Sequence, residues 1–145
     1  MGGTYMKTHK SYMLSAFVLG LTTLSIFALV SCGALNTVAS FIVSDRQYNE
    51  QKDLERARQP EQLTAGKDVY ASVFFIESPK GMEYTAKWSI GGNVIKTDTQ
   101  KLSTDRKGII VYSLEGDKVT VGTLRLEISY EDSVLASREL AIVEE

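Results

Sequence analysis

Residues 122–143, GTLRLEISYEDSVLASRELAIV, decide the fold. Over residues 123–130 apolar and polar side chains alternate without a slip. Leu124, Leu126, Ile128 and Tyr130 fall on one side; Thr123, Arg125, Glu127 and Ser129 fall on the other. A period of two marks an extended strand with one buried and one wet face, because successive side chains leave the backbone in opposite directions. Glu131-Asp132-Ser133 supplies a polar turn, and residues 134–143 return as the partner strand.

The same pattern runs upstream. Over residues 84–90, Tyr84, Ala86, Trp88 and Ile90 oppose Thr85, Lys87 and Ser89. Gly91-Gly92-Asn93 is a hairpin signal, and a strand over 94–97 follows it. Residues 69–76, bounded by Gly66 and Pro79, and residues 109–114, followed by Glu115-Gly116-Asp117-Lys118, read as further strands. Residues 101–107 are polar, with room for a short edge strand only. Six or seven short strands with turns and no helix between them predict an antiparallel sandwich over residues 67–145, with Trp88 as its central aromatic. The stretch 122–143 resembles the last hairpin of immunoglobulin-like or fibronectin-like bacterial modules. That resemblance implies an all-β, immunoglobulin-like antiparallel β-sandwich. It lacks the disulfide of antibody-type domains, since Cys32 is the only cysteine.

Two strands depart from one-sided patterning. Residues 69–76 set Val69, Val73 and Phe75 against Tyr70, Phe74 and Ile76; residues 109–114 set Ile110, Tyr112 and Leu114 against Ile109 and Val111. A sandwich strand ordinarily wets its outer face. The two strands are therefore expected to be neighbours whose apolar outer face is covered by the upstream helix, a second copy or a partner protein. The candidate interface is Tyr70, Phe74, Ile76, Ile110 and Tyr112. The competing reading is a locally thick core.

The longest apolar run, MLSAFVLGLTTLSIFALVSCG, covers residues 13–33. Lys7, His9 and Lys10 precede it, and no acid occurs before Asp45. A basic segment, an apolar core and small residues form the secretory signal pattern, starting at Met1 or, more tightly, at Met6. Leu29-Val30-Ser31-Cys32 resembles the lipobox of bacterial lipoproteins. The resemblance implies a signal peptide over residues 1–31, diacylglyceryl transfer to the Cys32 thiol and cleavage between Ser31 and Cys32. At about 0.8 kcal/mol per buried methylene, two chains on one sulfur anchor stably where one binds only marginally. It also implies an extracytoplasmic, membrane-anchored domain in the cell envelope, at the outer membrane of a two-membraned organism because Gly33 follows the cysteine. Two other readings are a retained single-pass helix over residues 14–43 and a buried helix of a soluble protein. A span needs about 20 apolar residues, and Ser31, Gly33, Asn36, Thr37 and Ser40 interrupt this one. Either membrane reading leaves the basic end cytoplasmic and sends the rest across.

Residues 32–66 then read as a lipidated N-terminus and a helical stalk. Ser44-Asp45-Arg46-Gln47 fits a capping box, and YNEQKDLERARQ is rich in helix formers up to Pro60. Tyr48 and Leu54 are its main apolar residues, so a solvated spacer is expected. About 15 residues of helix would add roughly 22 Å of reach.

Composition narrows the chemistry. Processing before Cys32 leaves 114 residues with fourteen basic and eighteen acidic side chains, a net charge of −4. An acidic chain does not suggest a nucleic-acid partner. His9 is the only histidine and would leave with the signal. Ser-His-Asp and Cys-His catalysis and imidazole-based zinc sites go with it. Gly91-Gly92-Asn93 lies between strands and is no phosphate loop. Asp98, Asp105, Asp117, Glu131 and Asp132 lack calcium-loop spacing. Tyr84 and Trp88 suit a sugar-stacking platform or, sharing a face with Ala86 and Ile90, a core. The expectation is a non-enzymatic envelope protein with no metal and no cofactor beyond the lipid on Cys32. It is held to the membrane and engages a protein partner or itself. The alternatives are a surface adhesin or ligand-binding module, a domain of the same topology on a transmembrane helix, and a small carboxylate-based enzyme.

Overall fold

The computed structural model describes residues 35–145; the expected signal peptide, the lipobox-like Leu29–Cys32 and the expected lipidation at Cys32 lie outside the described residues. In chain order the elements are β1 (Thr37–Ser44), α1 (Gln51–Arg56), β2 (Gln62–Thr64), β3 (Val69–Ser78), β4 (Glu83–Ile90), β5 (Asn93–Lys101), β6 (Arg106–Leu114), β7 (Gly122–Tyr130) and β8 (Ser133–Val143), with a 3-10 turn at Gly116–Lys118. The strands form two sheets, β1-β3-β6 and β2-β8-β7-β4-β5. All pairs are antiparallel except β2 with β8.

The alternating strands build the larger sheet as their periodicity predicts. Leu126 pairs with Trp88, and Leu124 with Ile90; all four are buried. Trp88, fully buried, sits in the main core with Tyr84, Phe75 and Tyr112. The β4–β5 turn is Gly91-Gly92, closed by the Ile90–Asn93 pair, with φ of 58° and 83°. Two consecutive positive φ values define the type I′ turn that follows strand twist, and glycine adopts both without steric cost. β5 extends to Lys101, well past the expected 97.

The region read as a stalk belongs to the sandwich. β1 is the edge strand of the smaller sheet and pairs with β3 from Thr37–Ile76 to Ser44–Tyr70. β2 adds to the larger sheet beside β8. The folded domain thus starts some thirty residues before position 67 and leaves no free spacer among the described residues. β1 escapes the period-two search because it is apolar on both faces: Val43 enters the main core, and Ile42 faces outward. Because residues 37–44 are a strand paired with β3, a helix running through residue 43 is excluded. The expected capping box does not form. Ser44 ends β1 and its Oγ accepts from the Arg46 N–H, while the helix begins at Gln51 after an uncapped Glu50.

The registers also give the sandwich two ends. At one end lie Asn36, the loops 79–82 and 102–105, and the 131–132 turn. At the other lie the 91–92 turn, residues 115–121 and the C-terminus.

Candidate functional site

The expected interface residues separate onto two faces. β3 and β6 are neighbours, Phe74 opposite Ile109 and Val73 opposite Ile110. Ile110 and Tyr112 point into the main core, where Tyr112 is fully buried and its O–H donates to the Tyr84 carbonyl of the other sheet at 2.8 Å. They cannot serve an outer surface. Tyr70, Phe74 and Ile76 do face outward, joined there by Ile109 and Ile42. Within a strand apolar on both sides, the sequence shows which residues share a face but not which face is inside.

That outer face is covered by the chain's own residues 45–57. The Tyr48 N–H donates to Ser72 Oγ at 2.9 Å, fixing the crossing segment to the sheet. One turn and a half of α1 then sets Leu54, 2 % exposed, against Ile42 and Phe74, with Tyr48, Ala57, Ile76 and Ile109 around them. Burial of side chains this size contributes about 1.5–3 kcal/mol each. Of the covers considered from sequence, the helix supplies this one. Tyr70 stays half-buried, its hydroxyl 3.5 Å from Asp68.

Both edges of the smaller sheet are capped by side chains. On β1, Gln59 accepts from the Val43 N–H at 3.0 Å and donates to the Val43 carbonyl at 2.7 Å. Arg138 Nη2 donates to the Phe41 carbonyl at 3.3 Å, and its guanidinium lies 4.5 Å from the centre of the Phe41 ring. On β6, Lys96 Nζ donates to the Ser113 carbonyl at 2.6 Å and Gln100 to the Val111 carbonyl at 3.1 Å. An open strand edge is a template for another strand; here polar side chains occupy it. Sequence reasoning missed all four. Arg138 had a visible signal, a charge in register with Leu126 on the inner face of β8. Partial burial lowers its pKa.

A second polar cluster fixes where the domain begins. Asn36 is buried, with φ of 61°, a conformation asparagine tolerates better than most residues. Its N–H donates to the Glu77 carbonyl at 2.9 Å. The Tyr84 hydroxyl donates to Asn36 Oδ1 at 2.8 Å and accepts from Ser78. Tyr84 itself stacks on Phe75 at 3.9 Å between centroids. Burial pushes the pKa of both Tyr84 and Tyr112 up. Tyr84 and Trp88 are therefore core residues and present no platform to a sugar.

The outer face of the larger sheet is polar. Glu127 bridges Lys87 at 2.6 Å and Arg125 at 2.9 Å, and Lys87 holds its carboxyl below the usual range. Among the described residues no group of three or more His, Cys, Asp or Glu side chains is placed to hold a metal, and no helix is long and apolar enough to cross a membrane.

No protein-family model matches the chain. No curated protein is similar to it. Among solved structures, an immunoglobulin-like protein of Pseudomonas aeruginosa superposes with a TM-score of 0.51 at 12 % identity, over 76 % of this chain and 98 % of that one. The CARDB domain of a Pyrococcus furiosus protein, in complex with di-metal ions, gives 0.42 at 12 % identity, over 77 % and 96 %. A β-glucosidase of Listeria innocua gives 0.44 at 11 % identity, over 57 % of this chain and 15 % of that one. The first likeness supports the immunoglobulin-like arrangement of the two sheets and speaks to fold alone. The other two are too remote to bear on this chain.

Proposed function

We propose that this is a lipid-anchored cell-envelope protein whose small immunoglobulin-like sandwich binds or helps assemble a partner and catalyses no reaction. The observation that supports it is an adjacency. The lipobox Leu29-Val30-Ser31-Cys32 stands directly before a domain whose first strand opens at Thr37. Cleavage before Cys32 leaves nearly the whole retained chain as one sandwich. The anchor supplies location and the domain supplies surface. With the apolar outer face covered by α1 and the edges of the smaller sheet capped, the surface left for a partner is chiefly polar loops and the charged face of β4, β7 and β8.

The test is mass spectrometry of the protein purified from its own membranes. The expected N-terminal peptide begins at Cys32 and carries a diacylglyceryl group. A retained leader with a free thiol overturns the anchor. For the non-catalytic half, cross-linking in intact membranes is expected to join one stoichiometric partner to the polar loops or to the β4-β7-β8 face. Conversion of a substrate that two nearby carboxylate substitutions abolish would replace it with the enzyme reading.

A further inference from the structure

The same end of the sandwich carries the chain entry and an exposed apolar pair. Leu35 is 65 % and Val134 55 % exposed, and they line one shallow depression with Val38 and Leu135. A second depression joins Leu35 to Pro79 and Arg106 on neighbouring loops. The other two large apolar side chains with comparable exposure, Val94 and Val121, lie toward the opposite end, beside the 91–92 turn and Gly122.

Chain length decides what the first end faces. Asn36 is held by the Glu77 carbonyl and the Tyr84 hydroxyl, so the domain cannot pay out chain beyond it. From Cys32 to Asn36 is four residues, at most roughly 14 Å whatever path they take. Lipid chains on Cys32 enter the hydrocarbon, so the sulfur sits near the boundary between headgroups and acyl chains. The polar headgroup layer, about 5–8 Å thick on each side, uses a good part of that reach.

We propose that this end of the domain rests on the headgroup layer of the membrane that holds the anchor, with Leu35 and Val134 at the contact. The proposal rests on the lipid-anchor reading and adds an orientation to it. The charge there does not drive contact: exposed Lys80, Lys101, Arg106 and Lys107 stand among exposed Glu77, Glu83, Asp105, Glu131 and Asp132, one acid in excess. Apolar contact and a short tether are the forces available. The 91–92 turn and the C-terminus then point away from the bilayer, so partners approach from that side.

The experiment uses the full-length chain, expressed with its leader, purified from membranes and reconstituted in phosphatidylethanolamine–phosphatidylglycerol vesicles containing a lipid with a headgroup quencher. Lipidation blocks the thiol of Cys32, so Val134→Cys and Val121→Cys each offer one site for a fluorophore. Both positions are more than half exposed, and Trp88 emission checks that the variants keep the fold. The expected result is loss of fluorescence at 134 and none at 121. Equal signals from the two positions, in protein that floats with the vesicles and whose N-terminal peptide carries lipid, overturn the orientation while leaving the anchor standing. Protein that does not float and labels at Cys32 as well overturns both.

Discussion

The carboxamide of Gln59 pairs with the backbone of Val43 as a strand would, accepting one bond from the N–H at 3.0 Å and donating one to the carbonyl at 2.7 Å. This pair joins the end of the α1 crossing to the rim of the smaller sheet. Replacing Gln59 by Ala leaves both Val43 groups without a protein partner. The expected cost is about 1–3 kcal/mol, read by urea unfolding followed through Trp88. The freed rim also becomes a site for edge pairing, so sedimentation velocity should show new self-association. Gln59→Glu keeps an acceptor for the N–H but has no donor for the carbonyl, and its stability should fall between the two.

Leu54 fastens α1 over Ile42 and Phe74. Leu54→Ala should cost about 2–5 kcal/mol, the range for deleting a buried leucine side chain. Leu54→Asp should go further and lift residues 45–57 from the sheet. The uncovered Phe74 and Ile42 would then bind an apolar dye that the parent protein ignores. A silent dye assay with Leu54→Asp, in a chain that remains folded, would show that the helix is not the cover.

Tyr84→Phe tests the clamp at the start of the domain. The ring still stacks on Phe75, but Asn36 Oδ1 loses its donor in a buried place. An orphaned buried acceptor costs about 1–3 kcal/mol. Amide exchange should quicken at Asn36, Thr37 and Val38 before it changes in β4 or β7. Uniform change across all strands would point to a general loss of packing instead.

Stability should fall at both pH extremes, for different groups. Hydrogen bonds from Lys96, from its own backbone N–H and from Lys118 lower the Glu115 carboxyl from the ordinary 4.5 to about 2; Lys87 lowers Glu127. A depressed carboxylate stabilises the fold fully above pH 4.5, and that contribution disappears as the pH drops toward 2. Tyr84 and Tyr112 behave oppositely. Burial raises both above the ordinary value of 10, so their contribution is complete below pH 10 and is lost as the pH climbs past it. Spectrophotometric titration should show two tyrosines that ionise only as the Trp88 signal reports unfolding.

β4 and β7 of the larger sheet were legible because one face of each is wet. Thr123, Arg125, Glu127 and Ser129 mark the outside of β7 as clearly as the leucines mark its inside. β1 was hidden by the opposite circumstance. Its sequence TVASFIVS follows closely on the apolar run of residues 13–33, and with Val43 inside and Ile42 under the helix it shows no alternation. The charged stretch after Tyr48 did contain a helix, but only residues 51–56 take it up. From Ala57 the chain is extended, which brings Gln59 to Val43. That exchange of local helix for a long-range backbone cap is a tertiary preference, invisible in a window of a dozen residues. The parity of β3 and β6 was readable, and the covered outer face with it; the assignment of Ile110 and Tyr112 to that face was not, since both sides of those strands are apolar.

Asn36 and Val143 lie at opposite ends of the sandwich, at the foot of β1 and the head of β8. A pull between them therefore acts lengthwise on the strands. The β1–β3 hydrogen bonds run across that direction, so they are sheared as a group and not unzipped one at a time. Traction applied between the first clamped residue and the C-terminus meets the whole β1–β3 ladder at once.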